Sequence, residues 1–334
     1  MKKLLCILIC LPFIGFGQTT LIPDTNFEQF LISMGLDSTL DGSVQTSSID
    51  TVQILDFGWN LNISDLTGIE DFISLVYLKC RSNSVQQSNL TNLNVTNNIA
   101  LEYLDCSNNL LTSLDVSQNP NLKSLYCTDN QIVSLDLSNN TALINLDCAN
   151  NQLTSLNLNN NINITDLGVG NVNLNYVDFS MLINLESLWF NSLSVVDVSN
   201  NPMLLNLGGG FQNSLLTYVN IQNGNNINLT CDGILPLSCG SFRYHPNLYC
   251  IQVDDVAWAN TNWINPPPPY SASIDTSFQY FSLNCPPPSK VQEHTTEKEL
   301  LKVIDLLGRE TKQTNQPLLY LYDNGTVEKK LTIE

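Results

Sequence analysis

Positive charge is what this sequence has least of. Its 334 residues carry 13 Lys and Arg against 31 Asp and Glu, a formal net charge of −18. Between Gln18 and Ser289 the cations reduce to Lys79, Arg81, Lys123 and Arg243, against 23 carboxylates. A phosphate backbone or an anionic membrane surface is met by clustered Lys and Arg, so nucleic acid and anionic lipid are excluded as partners. Histidine is almost missing too, with only His245 and His294 to serve a Ser/His/Asp or Cys/His catalytic set. After residue 17 no apolar run approaches the roughly 20 residues of a membrane-spanning helix. Charged residues make up 13% of the chain, about half the usual share of a soluble domain. Solubility therefore falls to neutral amides, of which there are 45 Asn, while 53 Leu supply burial. That pairing points to a repeat.

Both ends differ from the body. Lys2 and Lys3 precede an apolar run of about 13 residues that closes on Gly15-Phe16-Gly17. A basic start, a short apolar core and a small-x-small site make residues 1–17 a secretory signal peptide, with Gln18 the first mature residue. At the other end Pro286-Pro287-Pro288 opens a stiff spacer over residues 286–299. Residues 290–334 hold seven of the 13 cations and almost no Asn, so 300–334 form a module of separate origin. Apolar runs at 300–304 and 318–322 predict short strands. Asn324-Gly325, which accepts positive φ at both turn positions, predicts a tight hairpin. The stretches Lys302-Val-Ile-Asp-Leu-Leu-Gly-Arg309 and Gln316-Pro-Leu-Leu-Tyr-Leu-Tyr-Asp-Asn-Gly-Thr-Val-Glu-Lys-Lys330 resemble the C-terminal sorting tails of Bacteroidota proteins exported by the type IX secretion system. That resemblance implies contact with the type IX machinery and delivery to the medium or the outer-membrane surface.

In the body, Leu101, Leu122, Leu143, Ile164 and Leu185 stand 21 residues apart, a constant step that identifies a solenoid. One unit reads Leu101-Glu-Tyr-Leu104-Asp-Cys106-Ser-Asn-Asn109-Leu-Leu111-Thr-Ser-Leu114-Asp-Val116-Ser-Gln-Asn119, two similar halves of 10 and 11 residues. The alternation at Leu104 and Cys106, and again at Leu114 and Val116, predicts a strand with one buried face in each half. Asn109, Asn130, Asn151, Asn119 and Asn140 close the halves, where stacked amides can satisfy backbone groups of neighbouring coils. The unit resembles the leucine-rich-repeat family, in the nested 21-residue bacterial kind known as IRREKO, over residues 52 to about 222. The implied fold is a leucine-rich-repeat solenoid, mainly β, with short parallel strands stacked along a curved rod. About eight coils, at roughly 4.8 Å each, would make that rod near 40 Å long.

A solenoid exposes its core at both ends unless each is capped. Residues 18–51 are the expected N-terminal helical cap: Thr25 and Glu28 read as a capping box, Phe27, Phe30, Leu31 and Met34 share a helical face, and Gly35 is its stop. The repeat body then spans 52–226, with Gly208-Gly209-Gly210 as a break in its pattern. Residues 227–285 are the C-terminal cap, resembling the segment that ends many flavobacterial repeat proteins, with 266–269 an inserted loop. Two of the ten Cys leave with the signal. Cys80, Cys106, Cys127 and Cys148 share one inward position and read as a column of small buried hydrophobes rather than a metal site. Cys231, Cys239, Cys250 and Cys285 lie outside the periodic core, where a secreted chain uses disulfides. The favoured pairing, of three that four cysteines permit, is Cys250–Cys285 with Cys231–Cys239.

The outward residues of the two halves differ in kind. The second half repeats Ser, Asp and Asn, as in Ser113, Asp115, Ser117 and Ser134, Asp136, Ser138. The first half presents Tyr77, Lys79, Arg81, Tyr103, Asp105, Tyr126, Asp147 and Trp189, residue types enriched where partners dock. These eight are the candidate ligand-binding face. The series Asp115, Asp136, Asp178, Asp197 offers one carboxylate per coil, too few oxygens for Ca²⁺, and no metal or cofactor is expected. No catalytic residue is assigned either, since a glycosidase pair needs a walled cleft and a repeat presents an open face. The expected protein is secreted or held at the outer-membrane surface, where it recognises an extracellular protein or glycan by adhesion, without catalysis and without membrane insertion. Rival readings are an accessory carbohydrate-binding or carbohydrate-degrading protein and a structural surface-coat component.

Overall fold

The computed structural model describes residues 17–58, 62–82, 90–170, 173–209, 215–229, 247–261 and 280–285, together with the strands of the C-terminal segment. The chain forms two compact units, residues 1–285 and 286–334. The second is a three-stranded antiparallel sheet of β15 (Leu300–Asp305), β16 (Pro317–Tyr322) and β17 (Val327–Leu331). The expected Asn324-Gly325 turn lies outside the described residues.

In the first unit, an antiparallel pair, β1 (Thr19–Leu21) and β2 (Ser43–Gln45), precedes the repeat. One strand per coil then builds an eight-stranded parallel sheet. Its members are β3 (Ile54–Asp56), β4 (Tyr77–Lys79), β5 (Tyr103–Asp105), β6 (Ser124–Tyr126), β7 (Asn145–Asp147), β8 (Asp166–Val169), β9 (Ser187–Phe190) and β11 (Asn206–Gly209). Leu104, Leu125, Leu146, Leu167 and Leu188 sit opposite one another at the strand centres, each essentially without solvent contact. The 21-residue step is thus a hydrogen-bonded register, the basis of the solenoid. Asn108, Asp129 and Asn150 end the strands at φ of 56°, 56° and 52°, a left-handed conformation that Asn and Asp tolerate better than other side chains.

The second halves depart from expectation. Leu114 and Val116 point inward as predicted, yet no strand forms there until β10 (Val195–Asp197), which pairs with β12 (Tyr218–Asn220). In the earlier coils the Asp of each half bends the chain locally: Asp115 accepts from the Ser117 amide at 2.9 Å and Asp136 from the Ser138 amide at 2.9 Å. The same bend closes β5 at Asp105, β7 at Asp147 and β10 at Asp197, so it marks the end of a half in both columns and gives the acidic series a structural role. In the C-terminal cap, β13 (Cys250–Gln252) and β14 (Tyr280–Ser282) continue this second column in parallel. The Cys250–Cys285 disulfide fastens it, while Cys231, Cys239 and residues 266–269 lie outside the described residues.

The asparagine columns hold the coils together as expected. Asn130 donates to Cys106 O at 3.0 Å and Cys127 O at 3.1 Å and accepts from the Leu111 amide at 3.0 Å. The N-terminal helix α1 (Thr25–Ser33) covers the first coil, its Phe27 ring 5.5 Å from Phe57 and 6.1 Å from Phe72. Two details correct the sequence reading. The helix N-cap is Asp24, whose Oδ1 accepts from the Asn26 and Phe27 amides and whose Oδ2 accepts from the amides of Ser64 and Asp65. Glu28 does not reach back; its buried carboxylate holds the 41–43 turn through the amides of Asp41, Gly42 and Ser43. Met34 is 43% exposed and outside the core, with Gly35 following at φ 74° as the helix stop.

Candidate functional site

The outer face of the eight-stranded sheet carries its side chains in rows. One row runs Ile54, Tyr77, Tyr103, Ser124, Asn145, Asp166, Ser187, Asn206, and the next runs Asp56, Lys79, Asp105, Tyr126, Asp147, Gly168, Trp189, Gly208. Tyr77 and Tyr103 are direct neighbours, and their rings stack at 4.2 Å with planes 8° apart. Tyr126 lies one row over, its ring 5.6 Å from Tyr103 and tilted by 46°. A three-ring ladder therefore crosses β4, β5 and β6. Burial and the Asp105 charge push the Tyr103 hydroxyl up; burial and the carboxylates of Asp166, Asp105 and Asp147 do the same for Tyr126. Both phenols stay neutral donors at any physiological pH.

Five of the eight sequence-predicted residues come together. Arg81, Tyr103, Asp105, Tyr126 and Asp147, with Ser107, Asn108 and Thr128, line an open pocket of about 220 Å³. Asp105 is only 5% exposed, against the outward, solvated position read from the pattern. Its Oδ1 accepts from the Ser107 amide at 3.1 Å, and Asp147 Oδ1 accepts from the Ala149 amide at 3.1 Å. Asn108 is the lining residue that alternation alone missed; the signal for it is the left-handed turn that follows each strand.

The other three predicted residues stand apart from the pocket. Tyr77 backs the ring ladder, and Lys79 pairs with Asp56 at 3.3 Å. Trp189, 47% exposed, lies two strands beyond Asp147. Its ring covers Gly208, where any Cβ would collide with ring carbons Cε3 and Cζ3, and the Asp147 carboxylate covers Gly168 in the same way. The glycine run is thus no break in the repeat: Asn206–Gly209 is a paired strand, and Gly208 makes room for the indole. Cys80, Cys106, Cys127 and Cys148 are buried thiols at one position of four coils. Burial pushes all four up, Cys148 to about 12, so they are not nucleophiles at neutral pH. Among the described residues no group of His, Cys, Asp and Glu could hold a metal ion, and no helix is long and apolar enough to cross a membrane.

Comparisons with known proteins agree with this architecture. Residues 99–140 match the family model for leucine-rich repeats, two copies. The functional domain of InlJ from Listeria monocytogenes, which includes a cysteine ladder, is 27% identical with a TM-score of 0.58, over 72% of this chain and 58% of that one. Internalin C2 of Listeria monocytogenes aligns at 20% identity and a TM-score of 0.47, over 71% of this chain and 97% of that one. A leucine-rich-repeat protein of Leptospira interrogans aligns at 17% identity and a TM-score of 0.40, over 62% and 68% of the two chains. No curated protein matches the chain. This chain spans 58% of the InlJ domain's length. Register, buried leucine columns, the two-copy match over residues 99–140 and the likeness to the InlJ domain together show a leucine-rich-repeat solenoid with a helical cap at its start and a disulfide-fastened cap at its end.

Proposed function

We propose that this chain is a secreted or surface-held recognition protein, without catalysis, that docks an extracellular protein on the outer face of the eight-stranded sheet. The observation that carries the reading is the gathering of stacked tyrosines and carboxylates into one open pocket on that sheet. Rigid aromatic rings beside desolvated polar groups are the composition of binding hot spots. Export rests on residues 1–17 as a signal peptide and on residues 300–334 as a sorting tail read by the type IX machinery.

The docking face is tested by placing a photo-cross-linking amino acid at Ser124 on β6, or at Ser134 on the opposite half, and exposing the protein to extracellular proteins of its habitat. A defined partner should be captured at Ser124 and not at Ser134. Capture at Ser134 alone would refute the reading. A glycan remains the second reading because of one observation, the exposed Trp189 indole covering Gly208, a surface on which a sugar ring can stack. Retention on polysaccharide that Trp189→Ala abolishes would favour it.

A further inference from the structure

In the pocket, Tyr126 is flanked within its own row by two carboxylates, Asp105 on β5 and Asp147 on β7. Strands about 4.8 Å apart put the backbones of those two residues on the order of 10 Å from each other, on either side of Tyr126. Asp105 is the telling member. It is 5% exposed, it lines the pocket, and among the described residues the Ser107 amide on Oδ1 is its only hydrogen bond. With Oδ1 held by the Ser107 amide, its other oxygen is left to face the pocket. Among the described residues no cation is paired with it. Lys79 is held by Asp56 and Lys123 by Glu102, and Arg81, at the β4 edge of the pocket, has a partner of its own.

We propose that this pocket takes an arginine side chain of the extracellular protein partner, its guanidinium lying over the Tyr126 ring and donating to Asp105 and Asp147. The proposal rests on the docking-face reading above and gives it a ligand chemistry. A guanidinium is planar, stacks on an aromatic face and presents donors on opposite edges. With two hydrogen bonds of about 2.9 Å it reaches roughly 8 Å from acceptor to acceptor, whereas an ammonium, a single nitrogen, reaches less than about 6 Å. The pocket's about 220 Å³ holds the guanidinium and part of its stem. Charge complementarity is strong: 23 carboxylates stand against four cations between Gln18 and Ser289.

The test titrates a labelled hexa-arginine peptide onto the full mature chain in about 150 mM salt, where long-range attraction is screened, and follows anisotropy. Asp105→Asn and Asp147→Asn should each weaken binding about tenfold or more. Asp115→Asn and Asp136→Asn, which delete the same charge from the opposite half, should change it by less than about twofold. Tyr126→Leu should cost about threefold or more through the lost cation–π contact. Replacing the peptide's arginines by neutral citrulline should abolish binding. Absence of hexa-arginine binding, equal losses in all four Asp variants, or a hexa-lysine peptide that binds as tightly would overturn the proposal. Asn at 105 keeps the acceptor for the Ser107 amide, and matching urea midpoints confirm that the variants fold. Cross-linking at Ser124 separates the two claims. A partner captured there and indifferent to Asp105→Asn and Asp147→Asn leaves the docking face standing and overturns the arginine site; capture only at Ser134 overturns both.

Discussion

The two asparagine columns look alike in sequence but are wired differently, and Asn130→Ala and Asn140→Ala should expose the difference. Asn130 bonds through both ends of its amide: Nδ2 donates to Cys106 O and Cys127 O, and Oδ1 accepts the Leu111 amide at 3.0 Å. Its truncation strands the buried Leu111 N–H, while Cys106 O keeps its bond from Asn109 and Cys127 O its bond from Asn151. Asn140 uses one end only, donating to Val116 O and Asn119 O at 2.9 Å, while its Oδ1 is buried with no partner. Without Asn140, Val116 O still accepts from the Asn119 amide and Asn119 O from the Leu122 amide. A buried group left unpaired costs about 1–3 kcal/mol, so Asn130→Ala, which leaves one, should lose about 2 kcal/mol more than Asn140→Ala, which leaves none. Cavity terms are similar at the two sites and largely cancel in the comparison. In urea unfolding followed by circular dichroism, a slope of about 2 kcal/mol/M converts that gap into midpoints about 1 M apart. Midpoints equal within about 0.2 M, or the reverse order, would refute the assignment of the stronger staple to the first column.

Three further outcomes are expected. Native protein at pH 8 should take up no thiol label at Cys80, Cys106, Cys127 or Cys148, whereas denatured, unreduced protein takes up label at these four, with Cys250 and Cys285 labelled only after reduction; mass counting of all eight mature cysteines labelled without reduction would contradict this. Burial pushes the Asp24 carboxyl up, but hydrogen bonds from Ser64, Phe27 and Asp65 outweigh it and hold it below the usual carboxylate range; the bonds from Ser117 and Ser138 likewise hold Asp115 and Asp136 down. Because these folded-state values are depressed, their stabilisation is complete above about pH 4 and is lost as pH falls below it. The melting temperature should drop between pH 5 and pH 2, and less so in Asp24→Asn; a flat profile would count against it. Removing residues 290–334 should leave a folded repeat that accumulates in the periplasm, and normal surface display of the truncated chain would sink the sorting-tail reading.

Spacing made the main sheet legible, because a constant 21-residue step admits one register and so places Leu104, Leu125, Leu146, Leu167 and Leu188 in line. The same step exposed the thiol and amide columns. Local side-chain chemistry was less readable. Asp24 and Thr25 are both good N-caps, and only the fold, which brings Ser64 and Asp65 to Asp24, decides between them. The alternation at Leu114 and Val116 describes burial correctly but cannot tell whether a strand forms there. At the candidate site the residue types were readable and their contacts were not. The Tyr77–Tyr103 stack depends on a register carried across the longer, irregular coil between them, and the burial of Asp105 on the flanking Tyr103 and Tyr126 side chains that share its pocket.

The most direct test of the docking face measures the affinity of the partner captured at Ser124 for the Tyr103→Ala/Tyr126→Ala double variant. Its control is the Ser134→Ala/Asp136→Ala pair on the opposite half. The tyrosine pair should lose about 2 kcal/mol or more of binding free energy. Its stability should fall as well, by about 1–3 kcal/mol, because Tyr103 gives up ring contacts at 4.2 Å and 5.6 Å, each worth about 0.5–1.5 kcal/mol. Titrations therefore belong at a temperature where urea unfolding shows both variants fully folded. The control pair should bind within about twofold of the parent. Equal losses from the two pairs, or none from the tyrosines, would contradict the account and place the partner elsewhere on the solenoid.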